Sequence, residues 1–272
     1  MIVKDATDFI APAWLLAIRF ITAALILAVA FIGKRSLYLK KEYVGIGLLF
    51  GVAMFVAYYL QTVGVMYTTP GKNAFLTGVY CVLVPFIAWG AMRKRPSWFN
   101  LLAALLCIAG VGLLSLNGEA GINIGDVLTL GCAVFYAIHI VLVARFSVGR
   151  DIYVLTMWQF AGVGLCALFV ALLSGSHLPA FNTFDASQVC SLAYLAVFCT
   201  ALALLFQNMG QKHLPPASAS LLLSLESPFG VAFSVAFGYD VLTLRSVAGF
   251  ALIFIAILVS EVLPEKLRAK SA

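Results

Sequence analysis

Tyr58 to Phe86 reads YYLQTVGVMYTTPGKNAFLTGVYCVLVPF, and its pattern returns 146 residues later in Leu204 to Ala232, LLFQNMGQKHLPPASASLLLSLESPFGVA. Without a gap, Gln61 falls on Gln207, Gly64 on Gly210 and Pro70 on Pro216. The same register carries Ser97-Trp98 onto Thr243-Leu244 and Gly110 onto Ala256. Apolar segments resemble one another by composition, so a few identities carry little; the shared order of break residues carries more. Each copy reads as an apolar helix, a short turn containing Pro, a second apolar helix, a polar break and a third.

Composition fixes the class. Of the 272 residues, 63% are hydrophobic and 10% charged, with mean hydropathy +1.06, whereas soluble domains carry about 25% charged residues. The apolar runs are continuous and close to the ~20 residues a helix needs to cross hydrocarbon; barrel strands are about half that length. An all-α polytopic membrane protein follows, with nine predicted transmembrane helices: Pro12 to Ile32, Tyr43 to Met66, Lys72 to Met92, Ser97 to Leu116, Gly125 to Arg145, Ile152 to Leu173, Gln188 to Met209, Pro215 to Phe237 and Val241 to Val262. The breaks are short, so consecutive helices are expected to be antiparallel neighbours with no soluble domain between them.

Basic residues set the expected orientation. With the 33–42 connection in the cytoplasm, Lys34, Arg35, Lys40, Lys41, Arg93, Lys94, Arg95, Arg145, Arg150, Lys212, Lys266, Arg268 and Lys270 share that side, leaving Lys4, Lys72 and Arg245 opposite. Thirteen against three satisfies the positive-inside rule. The net charge of +6 is therefore a topology signal, and no nucleic-acid partner is assigned to it. The expected location is the cell (inner) membrane, with the lipid bilayer as surroundings and a basic cytoplasmic tail at 263–272. Single cysteines placed in a Cys-free background test this: a membrane-impermeant reagent added outside is expected to label position Ser176 and not Ser36. The reverse pattern inverts the orientation.

Before the long repeat the offset is 140, which lays Trp14 to Phe20 on Val154 to Phe160. Extended backwards, it sets Met1 on Val141, so residues 125–140 of the second unit have no counterpart. The first repeat, 1–117, is thus expected to lack its first helix and the second, 125–262, to hold five. An in-frame apolar run of about 15–20 residues is expected upstream of Met1 if the start is misplaced. Five helices is an odd number, so the second repeat enters the membrane in inverted topology, the architecture of secondary transporters.

Pro12-Ala13-Trp14-Leu15-Leu16-Ala17-Ile18-Arg19-Phe20, Leu60-Gln61-Thr62-Val63-Gly64, Thr68-Thr69-Pro70-Gly71-Lys72-Asn73-Ala74-Phe75-Leu76-Thr77-Gly78 and Glu226-Ser227-Pro228 resemble the drug/metabolite transporter superfamily, specifically its EamA-type exporters. The likeness runs over essentially the whole chain. It implies ten helices in two five-helix repeats and transport of a small-molecule substrate. The chain departs from the pattern in its absent first helix and in Gly238-Tyr239-Asp240, where the family often shows a Gly-Glu ending.

No catalytic, metal or cofactor constellation stands out. Cys81, Cys107, Cys132, Cys166, Cys190 and Cys199 lie in apolar runs without a CxxC, where Cys behaves as a small hydrophobe. His139, His177 and His213 are scattered, and no HExxH or Walker motif occurs. Polar residues at membrane depth remain. Glu226 is the midpoint of its span, where a carboxylate costs roughly 2.5 kcal/mol or more. It is either a cavity residue that binds a substrate ammonium or carries a proton, or a buried lock paired with a cation such as Arg19. Arg19 lies about 5 Å from the midplane of its own span. Under the repeat, Arg19 maps to Gln159 and Glu226 to Tyr80, and a two-fold axis in the membrane plane would gather these four around one central site. Trp158 and His139 are candidate cavity-lining residues, although such residues more often serve packing. Pro228 is a candidate hinge beside Glu226. Gly47 and Gly51 form a GxxxG face that reads as packing. The preferred function is a secondary transporter exporting a small metabolite, such as an amino acid or an aromatic or cationic compound, with proton coupling. The rivals are a structural or sensory membrane protein that keeps the fold and a lipid-linked sugar carrier. The oligomeric state has no signal in the sequence.

Overall fold

The computed structural model describes residues 2–93, 95–117, 121–175 and 184–270, with the side chains of 112, 114–117, 121–122 and 261–270 left aside. Lys94, Ser176 and His177 lie outside the described residues. The helices are α1 (Ile2–Ala6), α2 (Pro12–Ala30), α3 (Arg35–Tyr38), α4 (Lys41–Tyr67), α5 (Pro70–Thr77), α6 (Tyr80–Met92), α7 (Trp98–Ser115), α8 (Ile124–Phe146), α9 (Ile152–Leu173), α10 (Ala186–Ala196), α11 (Ala203–His213), α12 (Pro216–Ser224), α13 (Glu226–Ala236) and α14 (Leu244–Lys270). A two-residue antiparallel pair, β1 (Leu116–Asn117) with β2 (Gly121–Ile122), precedes α8.

Local chemistry sets the helix starts. Pro12, Pro70 and Pro216 each open a helix at its first turn, where a missing N–H is not needed. Asp151 caps α9 by accepting from the N–H groups of Tyr153 and Val154, and Asp185 with Gln188 forms a capping box on α10. Seven helical spans are long and apolar enough to cross a membrane: Pro12–Ala30, Lys41–Tyr67, Pro70–Met92, Ile124–Phe146, Ile152–Leu173, Ala186–His213 and Pro216–Ala236. The other two expected spans appear as shorter apolar stretches, Trp98–Val111 and Leu244–Ser260. A polytopic all-α membrane fold results.

The chain divides into two compact units, and they cut across the sequence repeats. The first comprises Met1–Thr62 with Leu142–His213, the second Val63–Val141 with Leu214–Ala272.

In the first unit α2 packs antiparallel on its repeat mate α9: Phe20 meets Phe160 with ring centroids 5.8 Å apart and Phe31 meets Tyr153 at 4.5 Å. The GxxxG face of α4 also lies on α9. A Cβ at Gly51 would stand 2.7 Å from the Gln159 carbonyl oxygen and 2.9 Å from Gly162 Cα, so the two backbones touch there and glycine is required by space. At one end of this unit Lys34 pairs with Asp151 at 2.5 Å. The Asp151 N–H donates to the Tyr43 hydroxyl at 3.1 Å, and Lys212 Nζ donates to the Arg150 carbonyl at 2.7 Å. The start of α9 is thereby tied to the 33–42 connection, to α4 and to the end of α11.

In the second unit α7 packs antiparallel on its repeat mate α14. Asn100 Nδ2 donates to Ser260 Oγ at 2.9 Å, and Arg245 Nε donates to the Leu113 carbonyl at 2.9 Å. A buried cluster around Leu76, Cys81, Val84, Ala137, Ile253 and Ile257 fills this unit.

Candidate functional site: two interrupted spans that cross

Residues 70–92 and 216–236, which the repeat superposes, are both interrupted at mid-length. In the first, Gly78 (φ −55, ψ −15) and Val79 (φ −56, ψ −22) separate α5 from α6. The chain winds tightly there, with Cys81 N–H bonding to the Gly78 carbonyl at 3.1 Å and Val82 N–H to the Val79 carbonyl at 3.0 Å. In the second, Leu225 (φ −61, ψ −18) separates α12 from α13. Pro228 explains that position, since it has no N–H for the Ser224 carbonyl and its ring crowds it. Short 3₁₀-like winds within long helices commonly mark hinges.

The interrupted spans pack antiparallel on each other, α5 against α13 and α6 against α12. Small residues line the crossing. Ser227 Oγ donates to the Ala74 carbonyl at 3.0 Å, Gly71 N–H to Ser234 Oγ at 3.1 Å and Cys81 Sγ to Ser220 Oγ at 3.6 Å. A side chain at Gly78 would collide with Ser227 Oγ. Gly78, unremarkable in an apolar sequence, is thus what lets the two interruptions meet.

Tyr80 is the first residue of α6 and Glu226 the first of α13, so the repeat mates occupy the same place beyond each break. Tyr80 is buried, and among the described residues its hydroxyl has no hydrogen-bond partner. Its ring lies 6.1 Å from that of Tyr136. Glu226 lies within electrostatic reach of Tyr80 and Cys132. It forms no ion pair or hydrogen bond among the described residues. Glu226 itself is exposed, at the start of α13 just beyond the break.

Near the start of α5, Lys72 Nζ pairs with Asp126 Oδ2 at 2.6 Å; the two side chains are 14% and 1% accessible. Thr68 Oγ1 donates to Asp126 Oδ1 at 3.0 Å, and Asn73 Nδ2 donates to Thr129 Oγ1 at 2.8 Å. Sequence reasoning missed Asp126. It stands at the second position of the expected 125–145 span, where a charge reads as interfacial, and its partner is 54 positions away.

Arg19, Gln159 and Trp158 belong to the first unit, and His139 and Pro228 to the second. Arg19 is buried, and its Nε and Nη2 donate to Thr200 Oγ1 at 3.2 and 3.0 Å, with the Phe20 and Tyr58 rings 5.8 and 5.9 Å from its guanidinium carbon. Thr200 sits in a π-helical segment, Val197–Leu202, and donates to the Leu195 carbonyl at 2.7 Å. Gln159 is fully buried, accepts from Asn208 Nδ2 at 2.9 Å and donates to Met54 Sδ at 2.8 Å. The repeat is visible in these contacts: Arg19 maps to Gln159, and Thr200 maps to Met54. The structure therefore brings Arg19 together with Thr200, and Tyr80 together with Glu226. Trp158 Nε1 donates to the Tyr38 carbonyl at 2.8 Å, and His139 is fully buried on α8. Among the described residues no group of three or more His, Cys, Asp or Glu could hold a metal ion.

Comparison with known proteins agrees with this architecture. The EamA-like transporter family matches residues 1–116 and 123–261. An uncharacterized transporter of Archaeoglobus fulgidus is 31% identical over 258 residues, spanning 95% of this chain and 79% of its own length. Uncharacterized transporter YyaM of Bacillus subtilis is 23% identical over 267 residues, or 95% of this chain and 87% of that protein. A crystal structure 19% identical in sequence shares the fold with a TM-score of 0.68, covering 96% of this chain and 91% of that one. The chain belongs to the EamA-like transporter family.

Proposed function

We propose that the protein is a secondary transporter that exports a small metabolite by alternating access, with the substrate held where the interrupted spans cross. One observation carries this reading: repeat-related spans are interrupted at the same depth and place Tyr80 and Glu226, a lone hydroxyl and a lone carboxylate, beyond the breaks. Interrupted helices at corresponding positions of two repeats are where such carriers bind substrate. Glu226 is the proposed proton carrier, Gly78 and Pro228 the proposed flexing points, and Arg19 and Gln159 the proposed polar residues of the other unit. The protein would sit in the inner membrane with its C-terminus in the cytoplasm.

The test is solute flux into proteoliposomes with and without an imposed pH gradient. Concentrative, gradient-dependent uptake of a small metabolite is expected. Folded protein that moves none supports a structural or sensory role, and movement of a lipid-linked sugar alone supports that class of carrier.

A further inference from the structure

Hydrogen-bonding capacity around Tyr80 and Glu226 is lopsided. A hydroxyl has one proton to give, and four around the crossing give it to backbone carbonyls: Thr77 to Asn73 at 2.8 Å, Ser220 to Ala217 at 2.8 Å, Ser224 to Leu221 at 2.7 Å and Ser227 to Ala74 at 3.0 Å; Ser234 gives its proton to the Asp240 carboxylate. Their oxygens remain as acceptors. The carboxylate of Glu226 only accepts. Cations of this unit are engaged or distant from the break. Lys72 is paired with Asp126, Arg245 donates to the Leu113 carbonyl, and Arg93 and Arg95 lie beyond the far end of α6. A ligand at this place meets several acceptors and the Tyr80 hydroxyl proton, while Lys72 and Arg245 are already engaged.

A donor-poor site of this kind suits a ligand rich in N–H and penalises one that brings its own carboxylate, which would lose water without a partner. Phe229 and Phe233 stand three and seven residues after Glu226 on α13, so they share its helix face, and both are exposed. Beside the carboxylate there is therefore apolar and aromatic surface. Resting on the transport reading above, we propose that the substrate is a primary amine with an apolar or aromatic body and no carboxylate, its ammonium held by Glu226 and the Tyr80 hydroxyl. This choice separates amines from amino acids.

Phenylethylamine and phenylalanine differ by one carboxylate and form the probe pair. Calorimetric titration of the full chain in detergent needs no transport. Phenylethylamine is expected to bind about tenfold or more tighter than phenylalanine, a gap of about 1.4 kcal/mol. Glu226→Gln is expected to remove that binding, and Tyr80→Phe, which keeps the ring, to weaken it several-fold. Equal or tighter binding of phenylalanine, no detectable binding of phenylethylamine, or unchanged amine binding in Glu226→Gln overturns the inference. Should Glu226→Gln fail to fold, an unaltered affinity in Tyr80→Phe overturns it instead. Flux separates the two readings: transport of phenylalanine without amine binding removes the amine and leaves the carrier, whereas amine binding without any flux removes the carrier and leaves the site.

Discussion

Glu226→Gln is expected to reduce proton-driven flux to the level of protein-free vesicles while changing stability by no more than about 0.5 kcal/mol, the range of substitutions that break no contact. Gln keeps the size of the side chain and its capacity to accept a hydrogen bond, but it can neither take up nor release a proton. The small stability effect follows from geometry. Glu226 has no ion pair among the described residues, while the guanidinium of Arg19 donates to Thr200. If the carboxylate were instead half of a buried lock, its removal would strand a charge and cost about 3–5 kcal/mol. Parallel measurements of pH-gradient flux and thermal melting decide. Preserved flux together with a sharply lowered melting temperature would take Glu226 out of the site.

Asp126→Leu should produce the opposite profile, a large loss of stability. Asp126 is sealed from solvent and its partner Lys72 nearly so; with the carboxylate gone, an ammonium group stays buried unpaired and the Thr68 hydroxyl loses its acceptor. The expected cost is about 3–5 kcal/mol. Adding Lys72→Met should recover most of it, because an apolar pair in place of a buried ion pair is close to neutral. A double-mutant cycle read from melting temperatures gives the coupling. If the double variant is as unstable as the single one, the ion pair is not what holds the start of α5 against α8.

Much of this was legible in the residues, for identifiable reasons. Hydropathy over about twenty residues is a strong signal because hydrocarbon accepts almost nothing else, and it located the helical spans. Pro70 and Pro216, at one offset, gave the repeat. Pro228 pointed to the interruption at Leu225. Gly78 gave no such sign, since glycine is common in membrane helices and its need arises only from Ser227 on another helix. The π-helical segment Val197–Leu202 contains neither Gly nor Pro; it forms where Thr200 reaches back to Leu195 and receives Arg19, a contact 181 positions apart. Arg19 was weighed against Glu226 because both are charged at depth. Its visible partner is a threonine, which no charge pattern announces.

The interleaving of the compact units bears on how the chain is made. Helix α2 emerges from the ribosome long before α9, yet Leu16, Phe20 and Ala23 of α2 belong to the same buried cluster as Leu155, Phe160 and Val163 of α9. Between these two events α4 to α8 must enter the bilayer, and those from α5 onward belong largely to the other unit. The first unit therefore cannot close until residue 213 has been translated, and the second waits for α14. Biogenesis becomes a late, cooperative assembly of already inserted helices, in the manner of two-stage membrane folding. A polypeptide cut between residues 117 and 124 would yield two half-molecules that complete one another, each supplying what the other's exposed faces require.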